Sequence, residues 1–194
     1  MDHTQLLDET LALYTSEKYE EAYRFITEHS EGVDSIDSQV MNFRYAIAAK
    51  AGMLDEAKRI FKEAILDKEY WYGYEYLMSD DDLIELREDP QMMDLINLCQ
   101  EREVLAAKST KPQLIINENH EKGSKGTLIA LHGNQENARI ASPFYQSAYQ
   151  EGYRIILPQS SQIDCTDAFT WNDLERGYSE MTEHVNKIEE SVDL

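Results

Sequence analysis

The sequence is poor in basic residues and in cysteine. It contains 18 Lys and Arg against 38 Asp and Glu, which gives a formal charge of −20. This charge argues against binding to nucleic acid or to anionic membrane surfaces, because both attract clustered cations. Cys99 and Cys165 lie far apart in the sequence, so a disulfide framework is not expected. We predict reduced thiols, with Cys99 in a hydrophobic core.

Long apolar runs are also lacking. No stretch approaches the roughly 18 to 20 apolar residues that a membrane-spanning helix needs. Residues 1–15 contain neither the basic nor the apolar region of a secretory signal peptide. These absences predict a cytoplasmic protein. The hydrophobic content of 42% is sufficient for a packed core in one large or two small domains.

The first part of the chain, residues 1–108, has helical periodicity. Apolar residues recur at steps of three and four, which predicts amphipathic helices over residues 6–14, 19–29, 40–51 and 54–66. A further helix is predicted from Pro90 to about Lys108. Asp89 precedes Pro90, and an aspartate before a proline at the first helical position is typical of a helix N-terminus.

The predicted helices form a repeat. Y-E-E-A at residues 19–22 and L-D-E-A at residues 54–57 occupy equivalent places, 35 residues apart. The period of the tetratricopeptide repeat is about 34 residues, and residues 1–108 resemble tetratricopeptide helix pairs. About three such units are usually needed for stability, so a further element should cover the second pair.

The candidate for that element is residues 69–78, which contain four tyrosines and Trp71. A large set of aromatic side chains first serves packing, so a core is the favoured interpretation of this segment. The alternative is a groove that binds a peptide or protein partner on the helical domain.

A domain boundary is predicted between Ala107 and Pro112, where the helical pattern breaks and the period becomes strand-like. The second domain is therefore predicted at residues 113–194. A strand over 113–118, a polar turn over 119–126 and the apolar run 127–131 predict a hairpin. The apolar run is typical of a strand that is buried on both faces.

The rest of the second domain alternates helix and strand. Ser142 is predicted to cap a helix that ends at Gly152, and Tyr153 to Pro158 is the next buried strand. Strand, helix and strand together predict a crossover unit of a parallel sheet. A loop is expected over 159–170. A long amphipathic helix is then predicted, with an inward-facing apolar stripe formed by Leu174, Tyr178, Met181, Val185, Ile188 and Val192.

Three segments of this domain have a familiar order. The run T-L-I-A-L-H-G ends at Gly133, P-Q-S-S-Q follows the next strand at residues 158–162, and W-N-D occupies residues 171–173. In these segments and in the order of its elements, the domain resembles the N-terminal part of the α/β-hydrolase fold, especially its carboxylesterase and dienelactone-hydrolase-like branches. The predicted fold class is α + α/β, with tetratricopeptide-like helical hairpins followed by a partial α/β-hydrolase sheet that is truncated before the nucleophile elbow.

The resemblance implies roles for residues near the strand ends. It implies that the backbone N–H of Asn134 forms part of an oxyanion hole, on a loop that His132, Gly133 and Gln135 support. Gln135 stands where several relatives have a second glycine. Trp171 and Ser160 would line the substrate pocket of the full-length relative, whose substrate is a small ester.

The nucleophile of such an enzyme cannot be assigned, because no G-x-S-x-G motif occurs in the sequence. Neither the acid nor the histidine of a triad can be assigned either, so we expect a truncated serine hydrolase that is inactive as this chain. No cofactor or metal is expected, and Asp164, Asp167 and Asp173 are interpreted as solvated loop carboxylates. The remaining histidines have no assigned role: His3, His29, His120 and His184.

Two other functions remain open. The chain could be a scaffold whose helical domain binds a peptide, or one half of an enzyme that another chain completes. In each case the last strand of a partial sheet would have an unpaired edge, and such an edge favours pairing with a second copy. A homodimer through this edge is therefore predicted.

Overall fold

The structure of the protein, a computed structural model, describes residues 1–117 and 125–192. The chain forms two compact units, Met1–Ala106 and Ala107–Leu194. The first unit is helical, and the second combines helices with two small β-sheets. Among the described residues, no helix combines the length and the hydrophobicity needed to cross a membrane.

The helices predicted from periodicity in the first unit are present, and the second helix has its predicted bounds. The helices are α1 (His3–Thr15), α2 (Tyr19–His29), α3 (Asp37–Lys50), α4 (Leu54–Lys62), α5 (Tyr74–Ser79), α6 (Ile84–Arg87) and α7 (Pro90–Ser109). A π-helical turn, Glu63–Asp67, extends α4. Asp89 caps α7 as predicted, since its Oδ1 accepts a hydrogen bond from the Gln91 N–H at 2.9 Å.

Aromatic side chains form much of the core of the first unit. The ring of Tyr45 packs edge-on against Phe61 at 5.0 Å and against Tyr72 at 5.3 Å. Trp71 is also buried, so these two members of the aromatic segment serve packing, as the favoured interpretation held. Cys99 is fully buried, and burial raises the pKa of its thiol to about 11.

The second unit contains five strands, three α-helices and a short 3₁₀ helix (Ser142–Tyr145) among its described residues. They are β1 (Gln113–Asn117), β2 (Thr127–Ile129), α8 (Ala138–Ala141), α9 (Gln146–Gln150), β3 (Arg154–Gln159), β4 (Gln162–Cys165), β5 (Ala168–Thr170) and α10 (Leu174–Val192). The larger sheet has the order β1-β3-β2, and β4 pairs with β5 in a separate antiparallel sheet. One face of the larger sheet packs Ile155 and Leu157 against α8 through Ala138 and Ala141.

The prediction that the strand at 127–131 is buried on both faces was wrong. Strand β2 lies at an edge of the sheet, and Ile129 and Leu131 are 41% and 46% exposed. The central strand is β3, in which Ile156 and Leu157 are fully buried. An apolar run shows that a strand has hydrophobic faces, but the number of its neighbours depends on the rest of the sheet.

The predicted hairpin between the first two strands was also wrong. Strand β1 pairs with β3 in antiparallel register, with Ile115 opposite Leu157, and it does not pair with β2. Most of the predicted turn, residues 119–124, lies outside the described residues. The parallel pairing of β2 with β3 confirms the predicted strand-helix-strand unit.

Two further boundaries differ from the sequence prediction. The helical segment after β2 begins at Ala138, where Asn137 Oδ1 accepts the Ile140 N–H at 3.0 Å, so Asn137 is the cap in place of Ser142. The predicted loop at 159–170 contains the hairpin β4-β5. Strands of three and four residues are too short to give a readable alternation.

The inward face of α10 differs from the predicted apolar stripe. Leu174 and Tyr178 are 79% and 77% exposed. Over residues 174–188, the buried residues of this helix are Gly177, Glu180, His184 and Ile188. The helix is therefore rotated so that two polar side chains enter the interior, and one of them supports the candidate site.

Candidate active site

The candidate site lies where β2 and β3 end. The two strands are parallel, and the Ala130 N–H extends their pairing by donating to the Ile156 carbonyl at 2.8 Å. The segments that follow the strands therefore leave the sheet at the same edge, which is where ligands bind in open α/β sheets. The site is built from residues 132–137 after β2 and from residues 160–171 after β3.

His132 is buried at the base of this edge, and both of its ring nitrogens are hydrogen-bonded. Nδ1 donates to the Gly133 carbonyl at 2.8 Å, and Nε2 accepts from the Ser160 N–H at 3.3 Å. The Ser160 N–H can only donate, so the ring carries its proton on Nδ1. Burial lowers the pKa of His132 below its ordinary value, against the opposing effect of the Gly133 bond. His132 is thus a neutral group that joins the two segments.

Trp171 packs against the ring of His132. The two rings stack with their centroids 5.1 Å apart, and the indole Nε1 donates to the His132 carbonyl at 3.3 Å. Phe169 is joined to the same segment, because its N–H donates to the Glu136 carbonyl at 2.9 Å. The hairpin β4-β5 therefore fixes the position of the segment after β2.

A tight turn forms the outer part of the site. The Glu136 N–H donates to the Gly133 carbonyl at 3.3 Å, and Gln135 has a φ of +57°, which is typical of the third position of a type II turn. This conformation favours glycine, so a glycine at this position in relatives has a physical reason. The Gln135 side chain holds the turn to β4 by donating to Asp164 Oδ2 at 2.8 Å.

Gly133 leaves room for the Glu136 carboxylate in this turn. Its N–H donates to the Glu136 carboxylate at 2.9 Å, and a Cβ at Gly133 would lie only 2.8 Å from that oxygen. Any other residue would displace the Glu136 carboxylate. The turn has two N–H groups that face outward, those of Gly133 and Asn134. The Glu136 side chain accepts the first of them and so closes the turn.

The second outward N–H belongs to Asn134, at the second position of the turn. Asn134 is exposed, and in residues 1–117 and 125–192 its N–H has no acceptor. A hydrogen-bond donor that is held in a fixed turn and has no internal partner is free to bind an oxygen of a ligand.

Ser160 takes part in the support of the site. It is fully buried, and its Oγ accepts the Gln162 N–H at 2.9 Å. Its side chain therefore presents no surface to a ligand in this chain, and its assignment to a substrate pocket stays a prediction. The same holds for the pocket role of Trp171, whose ring is half-buried against His132.

A buried carboxylate fixes the segment after β3, and the sequence analysis missed it. Glu180 is 7% exposed and accepts hydrogen bonds from the Ser161 hydroxyl and from the Ser161 N–H, the latter at 3.2 Å. Arg176 Nε donates to the same carboxylate at 3.2 Å. The four-residue spacing of Arg176 and Glu180 is a signal in the sequence, but it usually marks an exposed ion pair.

The loop aspartates and the other histidines also have structural positions. Asp173 caps α10, where its Oδ1 accepts the Arg176 N–H at 3.0 Å. No three His, Cys, Asp or Glu side chains converge as metal ligands in the described part of the chain. His120 lies outside the described residues. His3 is buried beside Gln39, with 2.8 Å between Nε2 and the Gln39 Oε1 atom.

His184 is buried on the inward face of α10, and neither ring nitrogen has a hydrogen-bond partner among the described residues. Burial lowers its pKa, as it does for His132. A histidine with a lowered folded pKa stabilises the fold fully only above its unfolded pKa of about 6.5. This contribution is lost as the pH falls through the folded pKa, so the second unit should lose stability below about pH 6.5.

Replacing His184 by leucine should stabilise the second unit. The His184→Leu change removes two unsatisfied buried polar atoms, and the expected gain at pH 7 is about 1 kcal/mol, or about 5 °C in Tm. It should also reduce the amount by which the free energy of unfolding falls between pH 7 and pH 5. Thermal unfolding across this pH range measures both effects, with the exposed neighbour Thr182→Leu as the control. A destabilised His184→Leu protein would show that the imidazole has a partner.

Comparison with known proteins gives a family match in the first unit. The sequence profile of the family described as "A/B hydrolase-like, N-terminal domain" matches residues 2–107. The matched residues are therefore the helical ones, and they do not include the strand that ends in L-H-G. No curated protein matches the chain.

One solved structure is similar over nearly the whole chain. It is the crystal structure of an uncharacterized protein from Bacillus cereus ATCC 10987, with 41% sequence identity and a TM-score of 0.60. The similarity covers 98% of this chain and 61% of that protein. The chain thus spans less than two thirds of the length of this relative.

Proposed function

We propose, from the premise that this chain belongs to the family of A/B hydrolase-like N-terminal domains, that it supplies one of two oxyanion donors to a serine hydrolase of carboxylic esters. The observation that carries the proposal is the Asn134 N–H, which has no acceptor in the described part of the chain. The turn that presents it lies beyond the carboxyl ends of two parallel strands.

The donor would act on the negative charge that develops during acyl transfer. Attack of a serine oxygen on an ester carbonyl forms a tetrahedral intermediate whose carbonyl oxygen becomes an oxyanion. A donor held at about 2.7 to 3.1 Å from that oxygen stabilises it, and Asn134 would share this role with the N–H that follows the nucleophile. Such stabilisation is effective when the donor does not need to reorganise during the reaction.

The surroundings of the turn support a preorganised donor. His132 is bonded to the Gly133 carbonyl and to the Ser160 N–H, and Trp171 stacks on its ring. The ring nitrogens of His132 are both engaged, so we assign this histidine to positioning and exclude it as the general base. The chain thus contributes binding and electrostatic stabilisation, and the nucleophile, acid and base lie elsewhere.

The open edge of β2 is where the nucleophile would join the sheet. Among the described residues, strand β2 pairs with β3 along one edge and with no strand along the other. Ile129 and Leu131 are exposed on one face of the sheet. A parallel strand paired along this edge would end beside His132 and Asn134, which is the position a strand-turn-helix with G-x-S-x-G requires. Because this chain spans 61% of the length of the similar solved structure, we propose that the strand is encoded after Leu194. The homodimer was predicted through the edge of the last strand, but β3 is paired on both sides, so we propose that it forms along the open edge of β2 instead.

The purified chain of 194 residues is expected to have no esterase activity, because it contains no G-x-S-x-G serine. With a short-chain nitrophenyl ester, release of nitrophenol should equal that of the Asn134→Pro protein and of buffer. A fluorophosphonate probe should not label the chain. Saturable turnover at an enzyme-like rate would contradict the proposal, because the nucleophile would then be present in this chain.

A further inference from the structure

We propose that the first unit binds a polypeptide segment in which a Lys or Arg side chain adjoins an apolar one. The site is a groove along α1, α3 and α5, lined mainly by the first helix of each successive pair. It is distinct from the hydrolase site, and its residues all lie between Leu11 and Asp82.

The floor of the groove is apolar and accessible. The groove has a volume of about 240 Å³. Its floor contains Leu11, Phe43, Ala46 and Ile47. Leu11 is 47% exposed. An apolar side chain from a partner would be removed from water on entering this groove, which favours binding.

Asn42 provides a polar group at the wall of the groove. One end of its side-chain amide contacts the hydroxyl groups of Tyr45 and Tyr76, at 2.5 and 2.8 Å. The other end has no hydrogen-bond partner within the described residues. The backbone of an extended segment offers both donors and acceptors, so it can bind this free end.

The rim of the groove carries negative charge that is only partly neutralised. The Asp82 carboxylate binds Lys50 Nζ at 2.7 Å and the Tyr14 hydroxyl at 2.6 Å. This hydrogen bond to Asp82 raises the pKa of Tyr14 to about 12, so the hydroxyl keeps its proton. Arg87 Nη1 donates to the Asp80 carbonyl at 2.6 Å, but in residues 1–117 and 125–192 the Asp80 carboxylate forms no ion pair, and it is placed to bind a cation of the ligand.

The size and charge of the groove select a polypeptide as its occupant. Pockets for small molecules typically have volumes of about 300 to 1,000 Å³, so this groove fits one or two side chains better than a complete metabolite. Residues 1–106 contain 25 Asp and Glu against 10 Lys and Arg. This charge repels nucleic acid, and it attracts a basic segment.

A displayed library of random dodecapeptides, selected on the full chain, tests the proposal. Enriched peptides should share a Lys or Arg next to an apolar residue. Their binding should weaken about threefold in Asp80→Asn, because an exposed ion pair is lost, and about tenfold in Leu11→Gln. Asn at position 80 keeps the Oδ1 acceptor that the Asp82 N–H uses, so the Asp80→Asn protein should fold normally.

Two matched controls separate the groove from general charge and hydrophobicity. Asp94→Asn makes the same charge change at an exposed position outside the groove, and Leu66→Gln removes a leucine that is 53% exposed elsewhere. Neither should weaken binding. The proposal would be overturned by acidic peptides, by no enrichment, by equal effects of control and groove variants, or by self-association that depends on Leu11.

Discussion

Asn134→Pro is expected to lower kcat for ester hydrolysis about 10²- to 10³-fold in a protein that joins this chain to its nucleophile segment. Proline has no N–H, so the substitution removes the proposed oxyanion donor and changes little else. The second position of a type II turn accepts proline, and the next residue, Gln135, provides the positive φ that this turn needs. The variant should therefore keep the fold of the site.

Asn134→Ala is the matched control, because alanine keeps the backbone N–H and removes only the side chain. Its kcat should stay within a few-fold of the parent protein. Steady-state kinetics with a nitrophenyl ester compare the three proteins, and circular dichroism checks that each is folded. Equal activity of the proline and alanine variants would show that the Asn134 N–H does not bind the oxyanion.

Glu180→Leu is expected to destabilise the second unit by about 3 kcal/mol. The carboxylate accepts the Ser161 N–H, the Ser161 hydroxyl and Arg176 Nε, and it is almost fully buried. Leucine fills a similar volume but leaves the Ser161 N–H without an acceptor. Glu180→Gln keeps one acceptor oxygen, so its expected cost is about 1 kcal/mol.

Urea unfolding followed by the fluorescence of Trp171 measures this effect. The two tryptophans lie in different units, so a Trp71→Phe background leaves a signal from the second unit alone. Glu183→Leu is the control, because Glu183 lies on the same helix and pairs with the exposed Lys187. It should leave the free energy of unfolding nearly unchanged. If Glu180→Leu also left the free energy of unfolding nearly unchanged, the buried carboxylate would not hold the segment after β3.

The helical unit was predictable because its signals are local. Three- and four-residue spacing of apolar side chains placed α2 at its observed bounds, and Asp89 before Pro90 identified the start of α7. These features depend on hydrogen bonds and side chains within one or two turns, so a short window of sequence contains them.

The errors in the second unit involve long-range choices. The apolar run at 127–131 could not show that β2 would be an edge strand, because that depends on which strands pair with β3. Leu174 and Tyr178 fitted the periodicity of α10, but the helix turns Glu180 and His184 inward. The burial of Glu180 follows from its bonds to Ser161, which lies 19 residues away. Contacts at this separation have no signature in local periodicity.

The candidate site was predicted mainly from the resemblance to a known family, and less from the hydrophobic periodicity of the sequence. The L-H-G and W-N-D segments were expected to belong to one site, and the structure stacks Trp171 on His132. The turn geometry at Gln135 and the closure of Gly133 by Glu136 could not be foreseen, because they depend on the placement of the β4-β5 hairpin. The Asn134 N–H, which the resemblance assigns to an oxyanion hole, has no acceptor among the described residues, and its role stays a prediction.

The most direct test of the central claim is to read the coding sequence 3′ of the codon for Leu194. We propose a serine hydrolase whose nucleophile strand pairs along β2, so a short apolar strand and a G-x-S-x-G should follow. Typical lengths of a connection and a strand place the motif within about two dozen codons, in some reading frame. Absence of the motif from all three frames of that interval would contradict the account.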